Sequence, residues 1–143
     1  MKISTRGRYA LRVMIDLAEQ YNGNFIRLKD IVERQEISQK YLEGIMTDLS
    51  KAGMVEGQHG KGGGYKLNRA PEDYTVGEIL RITEGDLAPI ACLEKEASFC
   101  ARAEECRTLP MWKNLYRVIN DYLDSVSLAD LMRTDHRGDD YVI

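Results

Sequence analysis

The residues best suited to metal or redox chemistry are three cysteines in the second half of the chain. They are Cys92, Cys100 and Cys106, separated by seven and then five residues, and the rest of the 143-residue sequence has no cysteine. A zinc knuckle uses closely spaced CxxC pairs, so the wider spacing argues against that kind of site. An odd number of clustered thiols is also unlike a disulfide framework.

The spacing favours a [2Fe-2S] cluster. Thiolates on a flexible loop can reach both irons of such a cluster, which normally takes four ligands. A carboxylate, a histidine, water or a group from another chain must then supply the fourth ligand, and this position would make the cluster labile. Three thiols that bind no metal remain the alternative interpretation.

The cysteines lie in residues 86–109, where weak periodicity predicts a loop between helices. Upstream, residues 71–85 contain the spacing of a capping box and predict a connecting helix. Downstream, Pro110 suits a first helical turn, so residues 110–133 are expected to form a long dimerisation helix and a short C-terminal helix. The polar residues 134–143 are expected to form a mobile tail.

The predicted long helix has a wide apolar stripe with several aromatic members, and a stripe of that width needs a partner surface. We therefore expect it to pair two copies of the chain. The expected interface residues are Trp112, Leu115, Tyr116, Ile119, Tyr122, Leu123 and Val126.

Two short helical patterns joined by a tight turn precede a glycine-rich hairpin in residues 1–70. Ser38 suits the N-cap of the second of these helices, and Gly53 suits its end. Five glycines between positions 57 and 64 favour a β-hairpin with a flexible tip. The sequence thus predicts a mostly α fold with a small β-hairpin wing, that is, a winged helix-turn-helix plus a long dimerisation helix.

The charge is divided unevenly. Residues 1–67 carry 11 basic and 8 acidic side chains, a net charge of +3, whereas residues 68–143 carry 9 and 15, a net charge of -6. A basic head with a helix-turn-helix pattern predicts binding to double-stranded DNA at a palindromic operator. The expected DNA-binding residues are Lys2, Arg6, Arg8, Ser38, Gln39, Lys40, Tyr41, Glu43, Thr47, His59 and Lys61.

These residues have different expected roles. Gln, Lys and Glu on the second helix can pair with adenine, guanine and cytosine, respectively. Tyr41 and the basic residues before position 9 suit phosphates, which set register without reading sequence. His59 and Lys61 lie at the wing tip, where they can enter a minor groove or meet the backbone; for His59, an exposed loop residue without a partner is the alternative.

Several other classes of protein are disfavoured. The chain has no apolar run of the length that crosses a bilayer and no apolar signal core, so a soluble cytoplasmic protein is expected. It has no Ser-His-Asp set, no phosphate loop followed by Lys and Ser or Thr, and only two histidines, so an enzyme is not expected.

Three stretches of the chain resemble the Rrf-type regulators, the family that includes IscR, NsrR and CymR. The stretches are MKISTRGRYAL at residues 1–11, ISQKYLE at 37–43 and GKGGGYKL at 60–67. The resemblance implies a two-fold dimer paired through Trp112 to Val126, a cluster on the three cysteines, and control of promoters, such as those of iron-sulfur cluster biogenesis genes.

The chain departs from the family at two positions. Leu109 stands where one branch has a histidine after its third cysteine, and Arg8 stands where another branch has an acidic ligand. The fourth ligand therefore stays open, with Glu104, Glu105 and Asp86 as candidates by proximity in sequence.

The last four residues, Asp140 to Ile143, are similar to the end of the CymR members of the family. That resemblance implies an alternative function, a regulator of cysteine metabolism that has no cluster and is controlled by cysteine synthase bound at Ile143. A frayed tail without a partner is the simpler interpretation of the same residues.

Overall fold

The computed structural model describes residues 1–98 and 100–132. The predicted tail and its terminal Ile143 lie outside the described residues. Six α-helices and one antiparallel hairpin form the described part, which confirms the prediction of a mostly helical chain with a small β-hairpin. The elements are α1 (Thr5–Glu19), α2 (Leu28–Gln35), α3 (Gln39–Lys51), β1 (Val55–Gln58), β2 (Gly64–Leu67), α4 (Val76–Glu84), α5 (Leu109–Ser125) and α6 (Leu128–Leu131).

Serine caps define where two helices of the first half, α1 and α3, begin. Ser4 caps α1 by accepting a hydrogen bond from the Gly7 amide, and Ser38 caps α3 by accepting one from the Tyr41 amide. Each bond satisfies an amide that has no partner inside its own helix. The expected cap at Ser38 is thus present, and α3 starts at the next residue.

Helices α1, α2 and α3 pack around one apolar core, called the head core below. Its last three members lie beyond residue 70, so the later helices complete the core of the first half of the chain. The head core consists of Ala10, Val13, Met14, Leu17, Ala18, Ile31, Ile37, Leu42, Ile45, Met46, Leu49, Met54, Val55, Leu67, Tyr74, Ile79 and Leu128.

The hairpin forms the wing, with Val55 opposite Leu67 and Gln58 opposite Gly64. The segment before α2 pairs with β2 at one position, where Ile26 and Tyr65 exchange two backbone hydrogen bonds of 2.8 Å each. The wing is therefore hydrogen-bonded to the helix-turn-helix as well as within itself.

The second half of the chain is more open. Residues 86–98 and 100–108 are mostly irregular and include two short 3-10 turns, Ala91–Leu93 and Ala103–Glu105. Helix α5 packs on α4, where Ile119 and Leu123 contact a small cluster around Leu80. No helix in the described part of the chain is long and apolar enough to span a membrane.

Candidate nucleic-acid interface and cysteine loop

Helix α3 has one buried face and one free face. Leu42, Ile45, Met46 and Leu49 are buried in the head core. The opposite face is exposed and carries all the α3 residues that the sequence assigned to base or phosphate contacts, together with the cap residue before them. Those exposed residues are Ser38, Gln39, Lys40, Tyr41, Glu43 and Thr47. We call α3 the reading helix.

Two hydrogen bonds organise the free face of the reading helix. The Gln39 side-chain amide donates to the Glu43 carboxylate at 3.2 Å, and the Thr47 hydroxyl donates to the Glu43 carbonyl at 2.8 Å. Lys40 makes no ion pair among the described residues. The face thus offers the Lys40 ammonium group and, beside it, the Glu43 carboxylate, which Gln39 orients. A lysine can donate to guanine, and a glutamate can accept from cytosine.

The wing stands beside this face and leaves a groove. A cavity of about 560 Å³ separates the wing from α2 and α3, and its lining includes Arg27, Thr47, Lys51 and His59. His59 and Lys61 are both exposed at the hairpin tip, as expected from the sequence. Arg27 and Lys51 add two cations to this groove, and no motif in the sequence marks either of them.

The wing depends on a glycine at its base. Gly64 has φ +145° in the backbone region that favours glycine, and a Cβ there would lie 2.1 Å from the Ile26 carbonyl oxygen. Any side chain at this position would push the wing off the segment before α2. The glycine run therefore allows a close backbone contact at the base of the wing as well as the positive φ values of Gly60 and Gly62 in its tip.

The N-terminal cations do not form one group. Lys2 and Arg8 are exposed, and Arg8 donates to the Thr5 hydroxyl at 3.0 Å. Arg6 instead turns towards the reading helix and forms an ion pair with Asp48. Its guanidinium is therefore engaged within the chain, and the phosphate contact expected from the sequence stays a prediction.

The three cysteines lie on the irregular segment between α4 and α5, and all three are exposed. A hydrogen bond with the Thr108 hydroxyl, 3.6 Å away, lowers the pKa of the Cys106 thiol. A lowered pKa favours the thiolate, which is the form that binds iron. The chemistry of the donor set thus fits an iron-sulfur cluster.

The arrangement of the donors is open in this conformation. Among residues 1–98 and 100–132, no three His, Cys, Asp or Glu side chains are placed together to bind a metal ion. Cluster binding would therefore require the segment to draw its thiols together.

Asp86 has a structural task at the start of the cysteine segment. Its carboxylate accepts hydrogen bonds from the Tyr116 hydroxyl at 2.7 Å and from the backbone amides of Lys95 and Ala88. The hydrogen bond from Tyr116 lowers the pKa of Asp86 and raises that of Tyr116. Of the candidate fourth ligands, Glu104 and Glu105 are exposed, whereas Asp86 is already engaged.

The apolar stripe of α5 divides into two faces. Ile119 and Leu123 face α4, together with Val126 just beyond the helix, and Tyr116 is hydrogen-bonded to Asp86. A second face has no partner among the described residues. Its exposed members are Met111 (52%), Leu115 (39%), Val118 (52%) and Tyr122 (66%).

We call these four residues the α5 seam. Their spacing of four, three and four residues is that of a coiled-coil seam. Met111 and Val118 were missed because the sequence alone did not show which part of the wide stripe packs within the chain. Trp112 is half-buried. The expected interface thus keeps Leu115 and Tyr122 on the free face, whereas several other members already contact their own chain.

Comparisons with known proteins agree with this architecture. The family model described as Rrf2, iron-dependent transcriptional regulator, matches residues 3–134. A putative HTH-type transcriptional regulator of Neisseria meningitidis serogroup A is 37% identical over 97% of this chain and 93% of its own length. The HTH-type transcriptional regulator IscR of Aliivibrio salmonicida is 37% identical over 92% of this chain and 77% of its own.

A solved structure gives the same result. The structure of CymR, the global cysteine regulator of B. subtilis, has a TM-score of 0.74 and 36% sequence identity, and covers 92% of this chain and 95% of its own. Relatives of both the IscR and the CymR kind are therefore similar to this chain at nearly equal identity. The chain belongs to the Rrf2 family of transcriptional regulators.

Proposed function

We propose that the chain is a transcription regulator and not an enzyme. It binds double-stranded DNA with the reading helix in the major groove and the wing on the neighbouring backbone. The observation that carries this proposal is the exposed face with Lys40 and Glu43, next to a glycine-based wing that ends in Lys61. A helix with a polar free face and a flanking cationic hairpin fits base edges and phosphates, respectively.

We propose further that two copies pair through the α5 seam. A stripe of four large apolar side chains on one helix face costs free energy in water, and a second copy of the same helix would cover it. The two-fold symmetry of such a dimer matches a palindromic operator, whose half-sites are separated by about 10 base pairs or a multiple of that number.

The cysteine segment is the proposed sensor. Cys92, Cys100 and Cys106 would hold a [2Fe-2S] cluster, with the fourth ligand from Glu104, Glu105 or another group. When bound, the cluster would supply a labile, redox-active cofactor. The segment is held to α5 by the hydrogen bond between Asp86 and Tyr116, so a change in its fold would act on the helix that pairs the two heads. Such a change would shift the relative populations of head arrangements.

A regulator of cysteine metabolism without a cluster is the second candidate function. The likeness to CymR, at a TM-score of 0.74, favours it as much as the likeness to IscR favours cluster sensing. Its control would come from cysteine synthase bound at Ile143, which lies outside the described residues.

Iron and sulfide analysis of anaerobically purified protein separates the two candidates. Cluster sensing predicts visible absorbance and about two irons and two sulfides per chain. Cys92→Ala should lose both, whereas Ser125→Ala, an exposed change on α5, should keep them. A colourless wild-type preparation without iron would instead favour the cluster-free regulator.

DNA reading is tested by comparing two lysines. Lys40→Ala should relax base preference, because Lys40 is the exposed α3 cation that we propose contacts base edges. Lys61→Ala should weaken binding to all sequences alike and lower the dependence of affinity on salt. Filter binding across a salt series measures both effects, and unchanged affinity in both variants would show that the reading helix and the wing are wrongly assigned.

A further inference from the structure

Arg6 links the first helix to the reading helix. Its Nε donates to Asp48 Oδ2 at 3.1 Å, and one terminal nitrogen contacts the same carboxylate oxygen while donating to the Gly44 carbonyl at 3.0 Å. Gly44 and Asp48 lie one turn apart on α3, so three hydrogen bonds from one guanidinium reach two successive turns of that helix. We call this arrangement the Arg6 clamp.

The base of the clamp is itself fixed. Two residues before Arg6, the Ser4 hydroxyl donates to Glu84 at 2.9 Å, and the Ser4 backbone amide donates to the same carboxylate. Gly7 permits this approach, since a Cβ at that position would lie 2.9 Å from a Glu84 oxygen. The N-terminus of α1 is thus hydrogen-bonded to α4. This holds the backbone beside Arg6 in place, and the Arg6 side chain extends from there to the reading helix.

The clamp lies directly beside two exposed residues of the reading helix that are expected to contact DNA. Glu43 and Thr47 each immediately precede a residue that Arg6 holds. Base discrimination by hydrogen bonding requires donor and acceptor distances to be met within a few tenths of an ångström. A rotation or tilt of α3 would therefore disturb base contacts more than phosphate contacts, which tolerate looser geometry.

We propose that Arg6 is a positioning residue for DNA recognition. It holds the reading helix, through Asp48 and the Gly44 carbonyl, in the orientation in which Glu43 and Thr47 meet the bases. This inference rests on the proposed DNA-binding function, and it is an alternative to the sequence-based expectation that Arg6 contacts a phosphate.

The test compares binding to two DNA probes. One is a short labelled duplex selected from a random-sequence library by the wild-type protein, and the other is the unselected library. The ratio of the two affinities measures specificity, and a charge effect common to all DNA cancels in it. If the wild-type protein selects no duplex, the proposed DNA-binding function fails; if it does, the variants below test the clamp alone.

Two conservative variants should reduce the specificity ratio. Arg6→Lys keeps the charge but loses the planar fork that reaches Asp48 and Gly44 together, and Asp48→Asn keeps the shape but loses the ion pair. For a dimer with two affected heads, we expect the ratio to fall by roughly five- to thirty-fold in each variant. The dependence of affinity on salt should stay at the wild-type value for Arg6→Lys.

Lys61→Ala is the matched control, since it should lower both affinities alike and reduce the salt slope by about 2 for a dimer. A ratio within twofold of wild type for either Arg6→Lys or Asp48→Asn would overturn the inference. All measurements are made at a temperature where thermal melts show the variants folded; if Arg6→Lys does not fold, the ratio for Asp48→Asn decides.

Discussion

The head core and helix α5 treat their apolar residues in opposite ways. The head core buries 17 side chains contributed by helices, wing and the returning α6, whereas no residue of α5 is buried. The head core buries its apolar surface within the chain. Helix α5 leaves four large apolar side chains exposed, which supports the proposal that a second copy of the chain covers them.

The two regions also differ in how they are held. The wing and helices of the head are joined by backbone hydrogen bonds and close packing, as at Ile26 and Tyr65. Helix α5 is joined to α4 by a small apolar cluster and by Arg81, which pairs with Asp124 at 2.8 Å. We therefore expect changes in α5 to alter assembly, and changes in the head to alter stability or DNA fit.

The largest expected effect comes from charging the α5 seam. Leu115→Glu places a carboxylate in the middle of the seam and should give a monomer in analytical ultracentrifugation. Affinity for a palindromic duplex should fall by about 100-fold or more, because the second head no longer binds at high effective concentration. The thermal midpoint of the head should change little.

Lys113→Glu is the control for that change, since Lys113 is exposed on the side of α5 away from the seam. It should remain dimeric. A dimeric Leu115→Glu protein with wild-type affinity would contradict the assignment of α5 as the open region.

The next largest effect is expected at the base of the wing. Gly64→Ala would place a Cβ against the Ile26 carbonyl, whereas Gly62→Ala also has a positive φ but meets no atom within 4 Å. Gly64→Ala should therefore be less stable than Gly62→Ala by about 2 kcal/mol, and it should bind DNA roughly tenfold more weakly. Urea unfolding and anisotropy measure the two effects; equal behaviour of the two variants would mean that the wing does not need its contact with Ile26.

A smaller loss of stability is expected where the second half returns to the head. The buried Tyr74 hydroxyl donates to the Met54 carbonyl at 2.8 Å and accepts from the amides of Asn68 and Arg69. Tyr74→Phe leaves these groups without that partner and should cost about 1 to 1.5 kcal/mol in urea unfolding, less than Gly64→Ala. Tyr21→Phe, at a tyrosine with 46% exposure, should cost almost nothing.

Alkaline pH gives a second measurement for Tyr74. Burial raises the pKa of its phenol above the ordinary value. On raising the pH, the unfolded phenol therefore ionises first, and the wild-type protein loses stability from the ordinary tyrosine range up to the raised pKa. Tyr74→Phe should lack this part of the loss; an identical alkaline profile would contradict it.

The smallest expected effect concerns the hydrogen bond between Tyr116 and Asp86. Tyr116→Phe should cost about 1 kcal/mol in the iron-free protein at neutral pH. Because this bond lowers the pKa of Asp86, its contribution is present above the ordinary aspartate pKa and is lost as the pH falls through the lowered one. Urea unfolding from neutral to acid pH should show the difference shrinking.

Asp86→Asn is the matched variant for this last prediction. Asp86→Asn removes the titrating group. The difference in unfolding free energy between Asp86→Asn and the double variant Asp86→Asn/Tyr116→Phe should therefore not change with pH over that range. If the difference in unfolding free energy between the wild-type protein and Tyr116→Phe stayed constant down to acid pH, the charge of Asp86 would not be what anchors the cysteine segment.

Much of the architecture follows from local patterns in the sequence. The cap at Ser38, the capping box that Thr75 forms with Glu78 at the start of α4, and the spacing of apolar residues by three and four specify helices from neighbouring residues alone. The glycine run predicts the hairpin for the same reason, since its requirement is a backbone one. The exposed side of the reading helix was predictable too, because its apolar stripe determines which face is buried.

Relations between distant segments were not predictable in this way. The stripe on α5 is too wide to show which part packs on α4, so Met111 and Val118 were overlooked although their spacing with Leu115 is in the sequence. The partner of Arg6 is 42 residues away in α3, and a basic residue in a basic head predicts a phosphate contact unless its neighbours in space are known.

The sequence by itself determined the elements, their caps and the division of charge, because these depend on residues within a few positions of each other. Only the tertiary structure decided which apolar face of α5 stays free, which cation holds the reading helix and how the wing is attached to Ile26. Those outcomes depend on which segments pack side by side, and packing is settled by the shapes of all the elements together.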